Sequence, residues 1–438
     1  MNIFKSLYCR VFQFGFKIAI PLMPYRNPRI LNSLDDVPDV FKTKGIDNVL
    51  LVTDRKIRNL GLTKRLEDRL KKKGIKLSVY DEVSANPTTE QVYEARDLYI
   101  KKKCQALIGF GGGSSMDCAK AVGALIAYPG RTLDRLGGIL KVMRKTPLII
   151  AVPTTAGTGS ETTLAAVVVD RAKRHKYALM SFPLIPSYAV LDPETTRTLP
   201  PAMTAGTGMD VLVHATEAYI GRSTTPLTRK EALKAIHLLF NNLTKAYTNG
   251  NNMEARRSML RASFLAGHAF TVSYVGYCHA VSHALGGRYN LPHGQTNAIL
   301  IPYVLEGYGA AIYPKLKDLA MAAGLASYDT DEAEAAKRYI KAIRALNAKM
   351  KIPDKIAELK REDIDELAER ADREANPVYP VPVLMDKEQL KGFLYDVLPD
   401  DDKPIRRLIK MQPQKIRNKK KAILLAIGGM KILKRRKK

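Results

Sequence analysis

Three of the chain's seven histidines, His279, His283 and His293, lie in one stretch, GYCHAVSHALGGRYNLPH from Gly276 to His293. His279 and His283 are four residues apart, so on a helix they share one face. His293 follows in Pro-His-Gly, beyond a Gly-Gly pair that reads as a turn. Upstream, GMDVLVHATEAY offers Asp210 and His214, again at helical i,i+4 spacing. A lone histidine on an apolar helix face is ordinarily a hydrogen-bonded core residue. Two i,i+4 pairs with a further histidine nearby can instead enclose a metal ion. Imidazole nitrogens with one carboxylate oxygen suit a borderline divalent metal such as Fe(II) or Zn(II). Spacing alone leaves open whether His279 or His283 is the ligand.

The elements that must position these residues follow from periodicity. From Asp47 the chain alternates strands and helices. DNVLLVTD, KLSVYDEV and QALIGF read as buried strands, and LTKRLEDRLKKKG, TTEQVYEARDLYIKKK (with a threonine N-cap) and SSMDCAKAVGALIA as helices. Such alternation implies a doubly wound, mostly parallel, Rossmann-like sheet with its ligand at the carboxyl ends of the strands. Strand signals fade near Pro200, and helices then dominate to about Leu398. The expected fold is therefore an α/β N-terminal domain followed by an all-α C-terminal domain. The expected boundaries are an amphipathic basic segment 1–24, a ligand-binding α/β domain 25–198, a helical domain 199–398 carrying the candidate metal residues and a basic tail 399–438. His237 and His268 look structural, and His175 has no evident role.

Between the third strand and its helix lies GGGSS, Gly111 to Ser115. Glycines let a backbone approach a diphosphate, and the helix N-terminus presents unpaired N–H groups; a tight turn alone would look the same. It is not the GxGxxG fingerprint. Asp54 closes the first of these strands, where a carboxylate accepts hydrogen bonds from a ribose and repels a 2′-phosphate, favouring NAD over NADP. The adjacent Arg55 and Lys56 pull the other way.

Four segments, GFGGGSSMDCAKAVG, PTTAGTGSE, TAGTGMDVLVHATEAY and GYCHAVSHALGGRYNLPHG, occur in this order within a match from about Tyr25 to about Leu398. Together they resemble the iron-containing (group III) alcohol dehydrogenase family, whose architecture is dehydroquinate synthase-like. The resemblance implies that Asp210, His214, His279 and His293 bind Fe(II), with Zn(II) the alternative. It places His283 beside the nicotinamide, in a proton-relay or positioning role. It implies cofactor contacts at Asp54, Asn86, Gly112, Gly113, Ser114, Ser115, Asp117, Thr154, Thr155, Thr158, Thr163 and Lys176. The implied reaction is hydride transfer between NAD(P) and short primary alcohols, diols such as 1,3-propanediol, or their aldehydes. A homodimer or higher homo-oligomer is the family expectation. A polyol dehydrogenase or dehydroquinate-synthase-like enzyme on the same scaffold competes with this reading. So does a non-enzymatic membrane- or scaffold-associated protein that works through its basic ends.

Composition bounds these readings. The net charge is +28, but residues 1–34 carry five Lys/Arg and no acid, and residues 403–438 carry fifteen and no acid. The excess is therefore terminal, and with no nucleic-acid-binding signature it argues against a nucleic-acid partner. The first segment places Ile3, Phe4, Leu7, Val11, Phe14 and Ile18 at helical spacing, which predicts an amphipathic helix that packs on the body, on a second subunit or on a membrane surface. Residues 415–438 have a short apolar stretch between basic blocks, fitting a membrane-surface or assembly anchor or a disordered tail. Four cysteines without paired spacing fit a reduced, cytoplasmic setting, with peripheral membrane association through the ends.

Overall fold

The computed structural model describes residues 1–172 and 175–399. Its strands are β1 (Arg29–Leu31), β2 (Asn48–Val52), β3 (Lys76–Tyr80), β4 (Ala106–Gly111), β5 (Gly138–Ile139), β6 (Leu148–Pro153), β7 (Ala165–Asp170), β8 (His175–Met180) and β9 (Tyr188–Val190). Six of them form an all-parallel sheet in the order β1-β9-β6-β4-β2-β3. Strands β5, β8 and β7 form a small second sheet, in which β7 and β8 are antiparallel. Val49 and Leu51 of β2 point to one face of the main sheet, where they pack with Leu66 and Leu70 of the helix Lys64–Lys72. Leu50 and Val52 point to the other, against Ala119 and Val122 of the helix Gly113–Ala127. All four strand residues are fully buried, as a parallel sheet covered on both faces requires.

From Pro201 onward the chain is helical among the described residues. Pro201 occupies the first turn of the helix Pro201–Ile220, where its missing N–H costs nothing. Thr225 closes a capping box at the start of Pro226–Thr248. Next come Met253–Ser273, Tyr277–Tyr289 and His293–Tyr308. The Gly286-Gly287 pair does not form the expected turn. Both glycines lie inside the helix Tyr277–Tyr289, which ends at Asn290 in a left-handed conformation. Two glycines weaken a helix without breaking it when its other face is buried, and asparagine tolerates the left-handed cap. The short edge strand β1 also escaped the sequence pattern, because three residues carry no detectable period.

The N-terminal segment is helical over Ile3–Ala19, but its orientation inverts the simple expectation. The apolar stripe from Ile3 to Ile18 faces outward, while Cys9, Gln13 and Ile20 are buried. Polar side chains dock the helix on the body. Arg10 donates to the carbonyls of Val381 and Pro382, Gln13 donates to those of Pro377 and Tyr379, and Lys5 pairs with Asp372. All four cysteines are free and buried. No described helix is long and apolar enough to cross a membrane. The expected tail 415–438 lies outside the described residues.

The α/β and helical parts meet backbone to backbone. A Cβ on Gly267 would lie 2.4 Å from Thr162 Oγ1 and 2.8 Å from Gly159 Cα, whereas one on the exposed helical Gly287 would meet nothing within 4 Å. Gly267→Ala is therefore expected to lower stability by ~1–3 kcal/mol, because backbone must move. Gly287→Ala should raise it by ~0.5–1 kcal/mol through the unfolded chain's lost freedom. Urea unfolding midpoints of the two variants against the parent check both signs.

Candidate metal centre and cofactor cleft

Three helices converge on one point. Pro201–Ile220 carries Asp210 and His214, Tyr277–Tyr289 carries His279, and His293 opens His293–Tyr308. One ligand atom from each of the four residues lies within 4.8 Å of all the others. Close helix approach makes this reachable: a Cβ on Gly294 would sit 2.2 Å from the Gly206 carbonyl oxygen. His283 is not part of this cluster. Its ring stacks on that of His293 at 5.1 Å, and its Nδ1 meets Glu374 Oε1 at 2.6 Å. The ambiguity between His279 and His283 is thus resolved geometrically, His279 inside the cluster and His283 beside it.

The donor set has the protonation a divalent metal needs. Burial drives His279 well below the usual histidine range, lowers His214 and takes His293 to about 3. Burial opposes ionisation of Asp210 too, but the three imidazoles and a hydrogen bond from Asn297 outweigh it and hold the carboxyl at about 2. The Asn297 amide is itself informative. Its Nδ2 lies 2.9 Å from Asp210 Oδ1, 3.3 Å from His279 Nε2 and 3.1 Å from His293 Nε2. A donor group so placed marks a site where acceptor atoms converge, as they would on a cation. The residues present therefore fit a divalent metal of the borderline kind.

Two residues not singled out in the sequence complete the centre. Glu217 accepts from the backbone N–H groups of Gly276 and Cys278, both at 2.8 Å, and meets His279 Nδ1 at 2.6 Å. That contact fixes the ring so that Nε2 faces the cluster. Asn297 is the second. Both had a readable signal, since Glu217 is one turn beyond His214 and Asn297 one turn beyond His293. Glu374, which also accepts from Tyr379 Oη at 2.6 Å, had none. His268 and His237 are structural, the first paired to Glu231 at 2.6 Å and the second near the Ala322 carbonyl.

The cofactor candidates gather at the carboxyl ends of the adjacent strands β2, β4 and β6. Gly111 has φ +149°, and a Cβ there would lie 2.4 Å from Ser115 Oγ, so glycine is required. Gly112 precedes the helix Gly113–Ala127, whose first turn holds Ser114 and Ser115. Asp54 caps the helix Arg55–Asn59 through Oδ1, 2.9 Å from Ile57 N, and turns Oδ2 toward Gly111. Thr154 N donates to the Gly111 carbonyl, while Thr155 and Thr158 face Gly112 and Gly113. Thr155 Oγ1 is buried without a hydrogen-bond partner among the described residues, beside the glycine turn. Such an orphan hydroxyl fits an approaching polar ligand.

Other candidates are spent on the frame. Asp117 accepts from Ser160 Oγ at 2.6 Å and Val167 N at 3.1 Å, and Thr163 Oγ1 accepts from the buried Lys120 Nζ at 2.9 Å. Lys176 Nζ donates to Asn86 Oδ1 at 3.1 Å on the exposed rim.

A parallel sheet with a glycine turn, joined to helices that bring three histidines and an aspartate together, has the layout of a metal-dependent, dinucleotide-linked oxidoreductase. Known proteins specify it further. Residues 30–193 match the iron-containing alcohol dehydrogenase model, and residues 204–397 match the C-terminal model of the Fe-containing alcohol dehydrogenase family. Alcohol dehydrogenase 4 of Saccharomyces cerevisiae (strain YJM789) is 36% identical over 368 residues, which is 83% of this chain and 94% of the relative. The 1,3-propanediol dehydrogenase of Citrobacter freundii is 35% identical over 365 residues, 82% of this chain and 93% of the relative. The crystal structure of a 1,3-propanediol oxidoreductase superposes with a TM-score of 0.81 at 32% identity, covering 85% of this chain and 98% of that one. The chain belongs to the iron-containing alcohol dehydrogenase family and is an alcohol oxidoreductase.

The Glu217 contact generates a test. Glu217→Gln removes the charge behind His279 and is expected to weaken Fe(II) or Zn(II) binding by ~10–100-fold. Chelator competition measures this; an unchanged affinity would mean that the carboxylate only ties backbone.

Proposed function

We propose that this chain interconverts short primary alcohols or diols with their aldehydes, using NAD(H) in preference to NADP(H) and Fe(II) held by Asp210, His214, His279 and His293. The convergence of four ligand atoms within 4.8 Å carries this reading. When bound, Fe(II) supplies Lewis acidity at the substrate oxygen and the dinucleotide supplies or takes up the hydride. The chain's own residues orient and charge the site. Glu217 holds the His279 ring, and Asn297 steadies the carboxylate of Asp210. His283 spends Nδ1 on Glu374, which leaves Nε2 to hold or pass a proton near the reacting atoms. Desolvation alone would lower the pKa of His283, but the Glu374 carboxylate outweighs it and raises the ring above its ordinary value.

On the cofactor side, the reading gives the diphosphate to the turn of Gly112, Gly113, Ser114 and Ser115 and the ribose to Asp54. Asn86, Thr154, Thr155, Thr158 and Lys176 would line the same cleft, while Asp117 and Thr163 would act through the loop they hold. The preference for NAD rests on Asp54, while the neighbouring Arg55 pairs with Glu82 at the surface. Four free buried cysteines suit the reducing cytoplasm.

Anaerobic NADH oxidation with a panel of short aldehydes tests the whole reading, on protein stripped of metal and reloaded with Fe(II) or Zn(II). Turnover should require the metal, favour NADH over NADPH, and fall by ~10³-fold or more in the Asp210→Ala/His279→Ala variant. Equal turnover in stripped and reloaded protein would sink it.

A further inference from the structure

The helix Ile3–Ala19 precedes the family-matched span, which begins at residue 30. It lies outside that shared span, and its exposed side is strongly apolar. Ile3, Phe4, Leu7, Val11, Phe14 and Ile18 are each 58–78% exposed. At 100° per residue they form one continuous stripe, opposite the docked Cys9 and Gln13. Apolar side chains cost free energy in water, so a stripe of six is a contact surface waiting for a partner.

Beside this stripe lies a cavity of about 440 Å³ lined by Lys17 of the same helix together with Arg222, Arg229 and Lys315. None of these four cations forms an ion pair among the described residues. The one acid in the lining, Asp318, accepts a hydrogen bond from Tyr219 Oη at 2.6 Å. Lys315 is turned inward, onto the carbonyls of Ile220 and Gly221 at 2.8 and 2.7 Å. Burial, then the charges of Arg229, Arg222 and Lys17, lower its pKa to about 8, which shows how closely unneutralised cations crowd here. Lys17, Arg222 and Arg229 are exposed.

We propose that this face seats the enzyme on an anionic membrane surface, with the apolar stripe in the acyl boundary and lipid phosphates in the cavity of Lys17, Arg222 and Arg229. Charge chooses the occupant. Residues 1–34 contain no acid, and the whole chain carries +28, so a second copy would bring like charge against like charge. An anionic bilayer offers both an apolar layer and phosphates at its rim, the two features this surface pairs. The basic segment 403–438 adds attraction to the same kind of surface.

Co-sedimentation of the full-length protein with vesicles tests this, using phosphatidylcholine alone and phosphatidylcholine mixed with phosphatidylglycerol. Binding is expected only to the mixed vesicles and should weaken as salt is raised. Phe4→Glu/Val11→Glu should cut the bound fraction by about tenfold, and Arg222→Glu/Arg229→Glu should lower it likewise. All four side chains are exposed, so circular dichroism and the melting midpoint should match the parent and verify folding. Three results would overturn the proposal. One is absence of binding to the mixed vesicles. Another is undiminished binding by the folded Phe4/Val11 variant, which would assign attraction to the basic tail. The third is a change in oligomeric state of that variant by light scattering with vesicle binding intact, which would make the stripe a subunit contact.

Discussion

Four acceptor atoms held within 4.8 Å of one another cannot stand without compensation. Three belong to imidazoles, two of them buried and that of His293 half-buried, and one to an ionised carboxylate, so lone pairs face lone pairs. Only a cation or hydrogen-bond donors can balance such a cluster, and the Asn297 amide shows the demand by lying against three of its atoms. Much of the helical half follows from holding this arrangement. Gly206 and Gly294 let two helices that carry the cluster touch backbone to backbone. Glu217 bridges a third helix to the first by accepting from its opening N–H groups and from His279. Phe270 stacks on His214 at 4.1 Å and closes that flank with apolar surface.

The same demand for close approach joins the centre to the sheet. The loop after β6 runs between the two parts, and its glycines meet helical backbone directly: a Cβ on Gly157 would lie 2.6 Å from Thr207 Cβ, and one on Gly159 2.6 Å from Gly267 Cα. The loop keeps its shape because Lys120, fully buried, donates to Ser160 Oγ, Thr163 Oγ1 and the carbonyls of Thr163 and Ala165. A buried ammonium with four acceptors and Asp117 at 3.9 Å is a satisfied charge, and it fixes the segment that faces the glycine turn. The loop thus ties the glycine turn of the sheet to the helices that carry the four-residue cluster.

Legibility in the sequence followed the range of the interaction. Strand and helix alternation, the i,i+4 pair Asp210 and His214, and the glycine turn are local patterns, and each stands in the structure where periodicity put it. The choice between His279 and His283 was illegible because both occupy one face. Their partners separate them, Glu217 for the first and Glu374 for the second, one 62 residues before its histidine and the other 91 after. Gly286-Gly287 misled because glycine permits a turn without requiring one; burial of the helix's other face decided. The N-terminal stripe misled for the opposite reason. Apolar periodicity locates a face but does not say what covers it, and here backbone carbonyls of the body were claimed by Arg10 and Gln13 instead.

That docking has a structural consequence for the site. Gln13 Nε2 donates to the Tyr379 carbonyl at 2.7 Å, Tyr379 Oη donates to Glu374, and Glu374 holds His283 Nδ1. The N-terminal helix and His283 therefore grip the same short segment, from Glu374 to Pro382. Each link is a direct hydrogen bond, and the Glu374 carboxylate is what raises the His283 pKa against burial. A helix that lies outside the family-matched span thus braces the segment that holds Glu374 against His283. The clustered Asp210, His214, His279 and His293 are held instead by Glu217 and by the glycine contacts between their helices.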